Sequence, residues 1–232
     1  MDRTITIARR FRGPPESVNG GYAAGVVSEG IDGVVVATLR MPPPMDTSMT
    51  LISNGTENRL MHGDDLIAEA AAATLELTVP DPPSLDEAVA ASHRFVTEEE
   101  HIFPGCFVCG PSRERGDGLC IFPGPVAGSD VVAAPWIPDT SIGREGEPLD
   151  RRYVWSALDC PSYFALGTMP RAVLGQLTAA IERLPVVGEE LIAMGWPLGV
   201  EGRKHSSGSA LATPEGEIIA RAAALWIELK PD

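Results

Sequence analysis

The residue of this sequence best suited to chemistry is an aspartate inside an apolar stretch. Asp159 lies within residues 155–161, whose other members are apolar or small. Burying an unpaired carboxylate costs several kcal/mol, so such a residue needs a hydrogen-bonding partner or a chemical role. Burial also raises the pKa of a carboxyl group towards that of a useful general base. Asp159 is therefore a candidate base or nucleophile, and the alternative is a structural aspartate that caps the turn before Pro161.

Two adjacent glycines follow an asparagine near the start of the chain. Asn19, a good N-cap residue, precedes Gly20, Gly21 and Tyr22, and small and apolar residues follow at helical spacing. This pattern predicts a helix that is buried on most sides. Glycine lets a ligand approach the positive end of a helix closely. The alternative is a purely structural role, in which both glycines let the helix pack tightly under a sheet.

The cysteines allow more than one interpretation. Cys106 and Cys109 form a CxxC motif, with His101 before it and Cys120 after it. Four such side chains could ligate a structural zinc ion. A CxxC without a second pair is weak evidence, so we predict reduced loop cysteines and no metal, with a transient disulfide less favoured. Cys160 has no histidine near it in the sequence and is interpreted as a small core residue.

Part of the chain occurs twice. Residues 66–77 and 218–229 carry the same amino acid at seven aligned positions, and residues 19–29 align with 150–160, with a tyrosine at the same place in both. A repeat found once is too long in period for a solenoid or a propeller. It predicts two copies of one small domain: residues 1–80, a helical and Gly/Pro-rich linker at 81–115, and residues 116–232.

Periodicity and turn residues predict an α+β fold. A capping box at Ser84 and Glu87 starts a linker helix that is expected to run to about residue 100. Strands are predicted at 4–10, 33–40, 49–53, 59–62, 65–77, 118–122, 131–136, 174–183, 189–196, 206–213 and 217–229.

Composition limits the partners. The 232 residues carry a net charge of −14, which argues against nucleic acid and anionic membranes as main partners. The 44 % hydrophobic content allows a real core, but no uninterrupted apolar run is long enough to span a membrane. Arginines interrupt the first residues, so no signal peptide is expected. We expect a cytoplasmic protein with reduced cysteines.

An N-terminal strand, a buried helix headed by Gly-Gly and a long antiparallel meander resemble the hotdog fold. Two copies in one chain resemble a double hotdog of the thioesterase-like superfamily, in which a long central helix in each repeat is wrapped by an antiparallel sheet. The segments PPESVNGGYAAG, FPGCFVCGP, GDGLCIFPGP and VWSALDCP also resemble a group of actinobacterial hotdog proteins. The resemblance implies an acyl-CoA or acyl-carrier thioester as ligand and no cofactor. It leaves a homodimer of double hotdogs open.

The resemblance also implies roles for residues. In thioesterases of the phenylacetyl-CoA type, a His-Gly-Gly motif starts the central helix, and a glycine N–H polarises the thioester carbonyl. Asn19 stands here in place of that histidine, before Gly20 and Gly21. The family's carboxylate lies nine residues after the motif's first residue. This position is Ser28 in the first repeat and Asp159 in the second.

We therefore expect one composite catalytic site, with the Asn-Gly-Gly segment of one repeat facing Asp159 of the other. Glu29 is a reserve carboxylate for the second cleft. The residues expected to bind substrate are Tyr22, Trp155, Ser156, Arg203 and Lys204. The two basic residues could contact CoA phosphates or simply form a solvated turn.

Three functions remain open at this point. The first is thioester hydrolysis. The second is binding of acyl-CoA or another apolar ligand without turnover, which the substitution of Asn19 and the loss of one acid both favour somewhat. The third is enoyl hydration or dehydration. It is least favoured, because hotdog proteins of the hydratase type use an aspartate and a histidine at the start of their helix and neither helix here contains a histidine.

Overall fold

A single antiparallel sheet of eleven strands carries three α-helices in the computed structural model, which describes residues 2–167 and 170–230. The strands of the first half are β1 (Arg3–Thr6), β2 (Val35–Leu39), β3 (Ser48–Ser53), β4 (Glu57–His62) and β5 (Asp65–Ala72). Those of the second half are β6 (Gly124–Pro125), β7 (Val132–Trp136), β8 (Ala172–Ile181), β9 (Leu191–Glu201), β10 (Lys204–Ala212) and β11 (Ile218–Glu228). The helices are α1 (Gly20–Val27), α2 (Leu85–Ser92) and α3 (Arg151–Phe164).

The two halves of the chain occupy the two ends of the sheet. The strand order is β1-β3-β4-β5-β2-β8-β11-β10-β9-β7-β6, so the pair β2–β8 joins the halves, with Val35 opposite Ala179. β5 lies between β4 and β2, and β11 lies between β10 and β8. The two segments that match in sequence therefore take corresponding places in the sheet.

Glycines allow the two main helices to touch. A Cβ on Gly21 would lie 2.5 Å from the Cβ of Asp159, and one on Gly25 would lie 2.7 Å from the Cα of Arg152. These contacts run in opposite directions along the two helices, so α1 and α3 are antiparallel. Since seven of the eight residues of α1 are buried, small side chains are what this position under the sheet requires.

Several elements differ from the sequence predictions. α1 has only eight residues, so the first half does not contain the long helix expected. β5 ends at Ala72. The Ser84 capping box is confirmed, but α2 ends at Ser92 rather than near residue 100. A new turn follows, in which the Glu100 carboxylate accepts from the N–H of Thr97.

The strand predicted at 118–122 is wrong. Cys120 has a φ of 52°, in the left-handed region, which interrupts extended structure. The N–H groups of Leu119 and Ile121 donate to the carbonyls of Phe107 and Val108. The alternating apolar residues of this segment therefore pack on the CxxC loop instead of joining the sheet. Among the described helices, none has the length and apolarity that crossing a membrane requires.

Candidate active site

A cavity of about 850 Å³ lies at the N-terminal end of α1, close to where β2 and β8 pair. This volume is within the range of about 300–1,000 Å³ typical of small-molecule sites. Its walls are mostly apolar and include Leu39, Met41, Phe103, Val173, Trp226 and Leu229. Asn19, Gly20 and Asp159 also line it, so an apolar pocket contains a small polar group.

Asp159 is held by α1 through one of its two carboxylate oxygens. Its Oδ2 accepts from Asn19 Nδ2 at 2.6 Å and from the N–H of Gly21 at 3.0 Å. Its Oδ1 is buried and has no hydrogen-bond partner among the described residues. An unpaired buried oxygen is costly, so this atom is the part of the carboxylate available to a ligand or a water molecule.

Burial sets the electrostatics of this carboxyl group. Asp159 is 2 % exposed, and desolvation raises its pKa to about 7, with the nearby Cys106 adding to the rise. The hydrogen bonds from Gly21 and Asn19 act in the opposite direction because they stabilise the charged form. The alternative of a turn cap before Pro161 does not describe this residue, since both residues lie within α3.

The orientation of the Asn19 amide follows from its two contacts. As the N-cap of α1, Asn19 accepts from the N–H of Tyr22 through Oδ1 at 2.9 Å. The amide nitrogen must then face the other way, where it donates to Asp159. Asn19 thus links the start of one helix to the middle of the other.

The two glycines have different positions. The Gly21 N–H donates to Asp159, and the Cα of Gly21 faces α3. Gly21 therefore allows the two helices to pack closely, in agreement with the structural alternative. Gly20 lines the cavity. As the first residue of α1, Gly20 has no acceptor for its N–H within the helix. Two backbone N–H groups are candidates to donate to a thioester carbonyl oxygen. Since the N–H of Gly21 is bonded to Asp159, the N–H of Gly20 is the remaining candidate.

None of the five residues expected to bind substrate lines the cavity. Tyr22 stacks on Phe11 with ring centroids 4.1 Å apart, and burial raises the pKa of Tyr22 to about 12. Trp155 is buried in the core, and the Ser156 hydroxyl donates to the carbonyl of Arg152 at 2.7 Å. These three side chains of α1 and α3 therefore contribute to the packing of the helices and not to the cavity wall.

Of the two basic residues in that prediction, Arg203 lies in the turn between β9 and β10 and Lys204 is the first residue of β10. Arg203 donates to the carbonyl of Glu228 at 2.8 Å, and Lys204 is exposed. The cations that line the cavity are instead Arg40 and Arg171, both exposed. Arg40 is paired with Glu69. The sequence offers no signal for these two, because they come from the end of β2 and the start of β8.

A group of thiols forms part of the same wall. Cys106, Cys109 and Cys160 are all buried, and their sulfur atoms lie within 4.8 Å of one another. His101 is next to this group, with Nε2 3.4 Å from the sulfur of Cys109. Cys120, expected as a companion of the CxxC motif, lies elsewhere and contacts the carbonyl of Arg113. The cysteine that lies next to the CxxC motif is Cys160. The sequence does not indicate this contact, because Cys160 is far from the motif along the chain.

Solved structures share this architecture. A protein of unknown function with a hot dog fold from Alicyclobacillus acidocaldarius superposes with a TM-score of 0.65 at 12 % identity, covering 100 % of this chain and 94 % of its own. The fold of this chain is the hotdog fold. A tesB protein from Mycobacterium avium subsp. paratuberculosis gives 0.60 at 14 % identity, covering 99 % and 93 %. An acyl-CoA thioesterase II from Mycobacterium marinum gives 0.60 at 10 % identity, covering 100 % and 94 %. No protein-family model and no curated protein matches the sequence.

The hotdog helices do not offer the same groups at their other junction. Ser28 is buried at the end of α1, and Glu29 forms an ion pair with Arg3. At the start of α3, Asp150 is the N-cap and is paired with Arg152. The acids at this end are thus engaged with arginines, in contrast to the unpaired Oδ1 of Asp159.

Proposed function

We propose that this chain is a double-hotdog hydrolase that cleaves an acyl thioester at one composite site. The two hotdog units would be residues 1–80 and 116–232, with residues 81–115 between them. The observation that carries the proposal is the carboxylate of Asp159, which is anchored through Oδ2 by α1 and unpaired at Oδ1 in the wall of an apolar cavity. It is supported by two structures with the same fold, a tesB protein and a protein named as an acyl-CoA thioesterase II.

The proposed reaction assigns one step to each group. Oδ1 of Asp159 takes a proton from a water molecule as the water oxygen attacks the thioester carbonyl carbon. The N–H of Gly20, at the positive end of α1, donates to the oxygen that becomes negative. When the tetrahedral intermediate collapses, the C–S bond breaks and the leaving sulfur takes the proton from Asp159. The products are a carboxylic acid and a thiol. The alternative role of Asp159 is direct attack by Oδ1 on the carbonyl.

The two ends of the substrate would meet different surfaces. The apolar walls suit an acyl chain, because burying its methylene groups is favourable. Arg171 and Arg40, exposed where they line the cavity, suit the phosphates of CoA or of a carrier's phosphopantetheine arm.

The test is the release of free thiol from a panel of acyl-CoA esters of increasing chain length. Asp159→Asn keeps the shape and the hydrogen bonds to Oδ2 but cannot accept a proton, so kcat should fall by about 10²–10⁴-fold. Asp150→Asn, which changes the exposed N-cap carboxylate of the same helix, is the matched control and should leave kcat unchanged. Full turnover in the Asp159→Asn variant would overturn the proposed role.

The burial of Asp159 also favours a second function. A carboxylate that is 2 % exposed and bonded to two groups of the facing helix could serve only to join the helices. The protein would then bind an acyl thioester in the cavity without cleaving it. Binding of acyl-CoA by calorimetry without thiol release from any ester of the panel would favour this second function.

A further inference from the structure

The thiol group in the cavity wall combines two distant parts of the chain. Cys106 and Cys109 belong to the loop that follows His101, and Cys160 follows Asp159 on α3. The sulfur atoms of Cys106 and Cys160 are 3.8 Å apart. All three cysteines are at least 94 % buried, and their thiols lie close to one another in the cavity wall. Neither the fold nor the proposed hydrolysis requires three thiols to converge.

The 3.8 Å between the sulfur atoms of Cys106 and Cys160, with all three sulfurs within 4.8 Å, is compatible with ligation of one metal ion. Zinc–sulfur bonds of about 2.3 Å at tetrahedral angles place two sulfur atoms about 3.8 Å apart. A disulfide needs about 2.05 Å between sulfurs and would leave the third thiol unused. Thiolate ligands in tetrahedral arrangement are typical of zinc. We propose that Cys106, Cys109 and Cys160 together bind one zinc ion, whose fourth position faces the cavity.

The contacts of His101 place it beside the ion rather than on it. The N–H of Phe103 donates to Nδ1 of His101 at 3.0 Å, so a neutral imidazole carries its proton on Nε2. Nε2 lies 3.4 Å from the sulfur of Cys109 and therefore donates to it. A hydrogen bond of this kind stabilises the thiolate form of a ligand and fixes its orientation. His101 is a positioning residue for Cys109.

A second donor connects the zinc site to the carboxylate. Asn19 Nδ2 lies 3.8 Å from the sulfur of Cys106 as well as 2.6 Å from Asp159 Oδ2. Binding of zinc would release the protons of three thiols and leave the site with one net negative charge. The ion would tie the loop of residues 101–109 to α3 and thereby hold one wall of the cavity in place.

The first measurement is the metal content of the whole protein, purified with a reducing agent and without chelators. We expect one zinc per chain by inductively coupled plasma mass spectrometry. Cys106→Ser, Cys109→Ser and Cys160→Ser should each lose the zinc, whereas Cys120→Ser, which removes a thiol outside the group, should keep it. Iron or copper in place of zinc would overturn the identity of the metal.

Absence of metal in the unmodified protein would overturn the proposal without reference to any variant. An intact mass lower by two hydrogens under non-reducing conditions would replace it with a disulfide. Because the readout is metal content, failure here is distinct from failure of the proposed hydrolysis.

Cobalt substitution tests the coordination. Co²⁺ in a tetrahedral thiolate site gives intense visible bands and thiolate-to-metal charge transfer in the near ultraviolet. His101→Ala should keep both, with weaker metal binding by about 10–100-fold, as for loss of an outer hydrogen bond. Loss of the tetrahedral thiolate bands in His101→Ala at saturating Co²⁺ would contradict the positioning role. Added imidazole should shift the visible bands, since the fourth position is open, and unchanged bands would show a closed site.

Discussion

Asn19 concentrates three functions in one side chain. It caps α1, holds Oδ2 of Asp159 and lies beside the sulfur of Cys106. Its amide can do so because one end accepts and the other donates. A histidine at this position could not reproduce the amide's simultaneous cap and double donation. The substitution that departs from the thioesterase pattern therefore fits the groups that surround it here.

Replacing Asn19 by alanine should affect both stability and turnover. The variant loses an N-cap and removes one hydrogen bond from a buried carboxylate, so the free energy of unfolding should fall by about 1–3 kcal/mol. The proposed base also loses its alignment, so kcat should fall. Ser84→Ala, which removes the N-cap of the solvent-facing helix α2, should lower stability by about 1 kcal/mol and leave kcat unchanged. Equal effects of both variants on kcat would contradict the role given to Asn19.

Arg171 should matter for substrate affinity and Lys204 should not. Arg171 lines the cavity, whereas Lys204, the first residue of β10, lies outside the cavity lining. Because Arg171 is exposed, its contact with a phosphate is worth about 1 kcal/mol, so Arg171→Ala should raise KM for an acyl-CoA by about fivefold. Lys204→Ala is the matched control with unchanged KM. The reverse result would restore the basic turn as the binding site.

At the scale of elements, the sequence predicts a structural feature correctly where the hydrogen-bond partner is only a few residues away. The Asn19 and Ser84 caps each depend on residues within four positions, and both are present. Leu119 and Ile121 alternate like a strand, yet they pair with the loop at residues 107–108. Periodicity indicates that such residues are buried but not which backbone they meet.

The same limit applies to the site. A motif and its spacing mark Gly20, Asn19 and Asp159 as candidates, and all three line the cavity. Their meeting across 140 positions of sequence, Asn19 Nδ2 to Asp159 Oδ2, depends on how α1 and α3 cross. Arg171 and Cys160 join the site only because strands and helices from both halves converge there, and no local pattern carries that information.

Gly21 should be intolerant of even a methyl group, because α1 and α3 touch there. A Cβ would lie 2.6 Å from the Trp155 carbonyl, as well as against Asp159. Gly21→Ala should therefore lower the unfolding free energy by about 1–3 kcal/mol, although alanine favours helix by about 1 kcal/mol. Gly199→Ala, where a Cβ meets nothing within 4 Å, is the control and should be near neutral. Urea denaturation midpoints measure both, and an unchanged midpoint for Gly21→Ala would contradict this contact.

At the scale of the whole molecule, the two halves differ in the carboxylates that they place beside α1 and α3. The halves place α1 and α3 side by side and β5 and β11 in corresponding strands. Asp159 is unpaired at one oxygen, while Glu29 is neutralised by Arg3. In the proposed composite site the helix start comes from one half and the acid from the other, so similar strand positions in the two halves do not require two sites.

We expect one ligand per chain. A non-hydrolysable acyl-CoA analogue titrated into the protein should bind with a stoichiometry of one by calorimetry, because Asp159, which lines the cavity, has the one buried carboxylate oxygen without a partner among the residues described. Glu29→Gln should keep the stoichiometry and kcat, and it should cost no more than about 1 kcal/mol, as expected for loss of an exposed ion pair. Two bound ligands per chain, or turnover that depends on Glu29, would mean that the second cleft works as well. The asymmetry between Ser28 and Asp159 would then have no functional meaning.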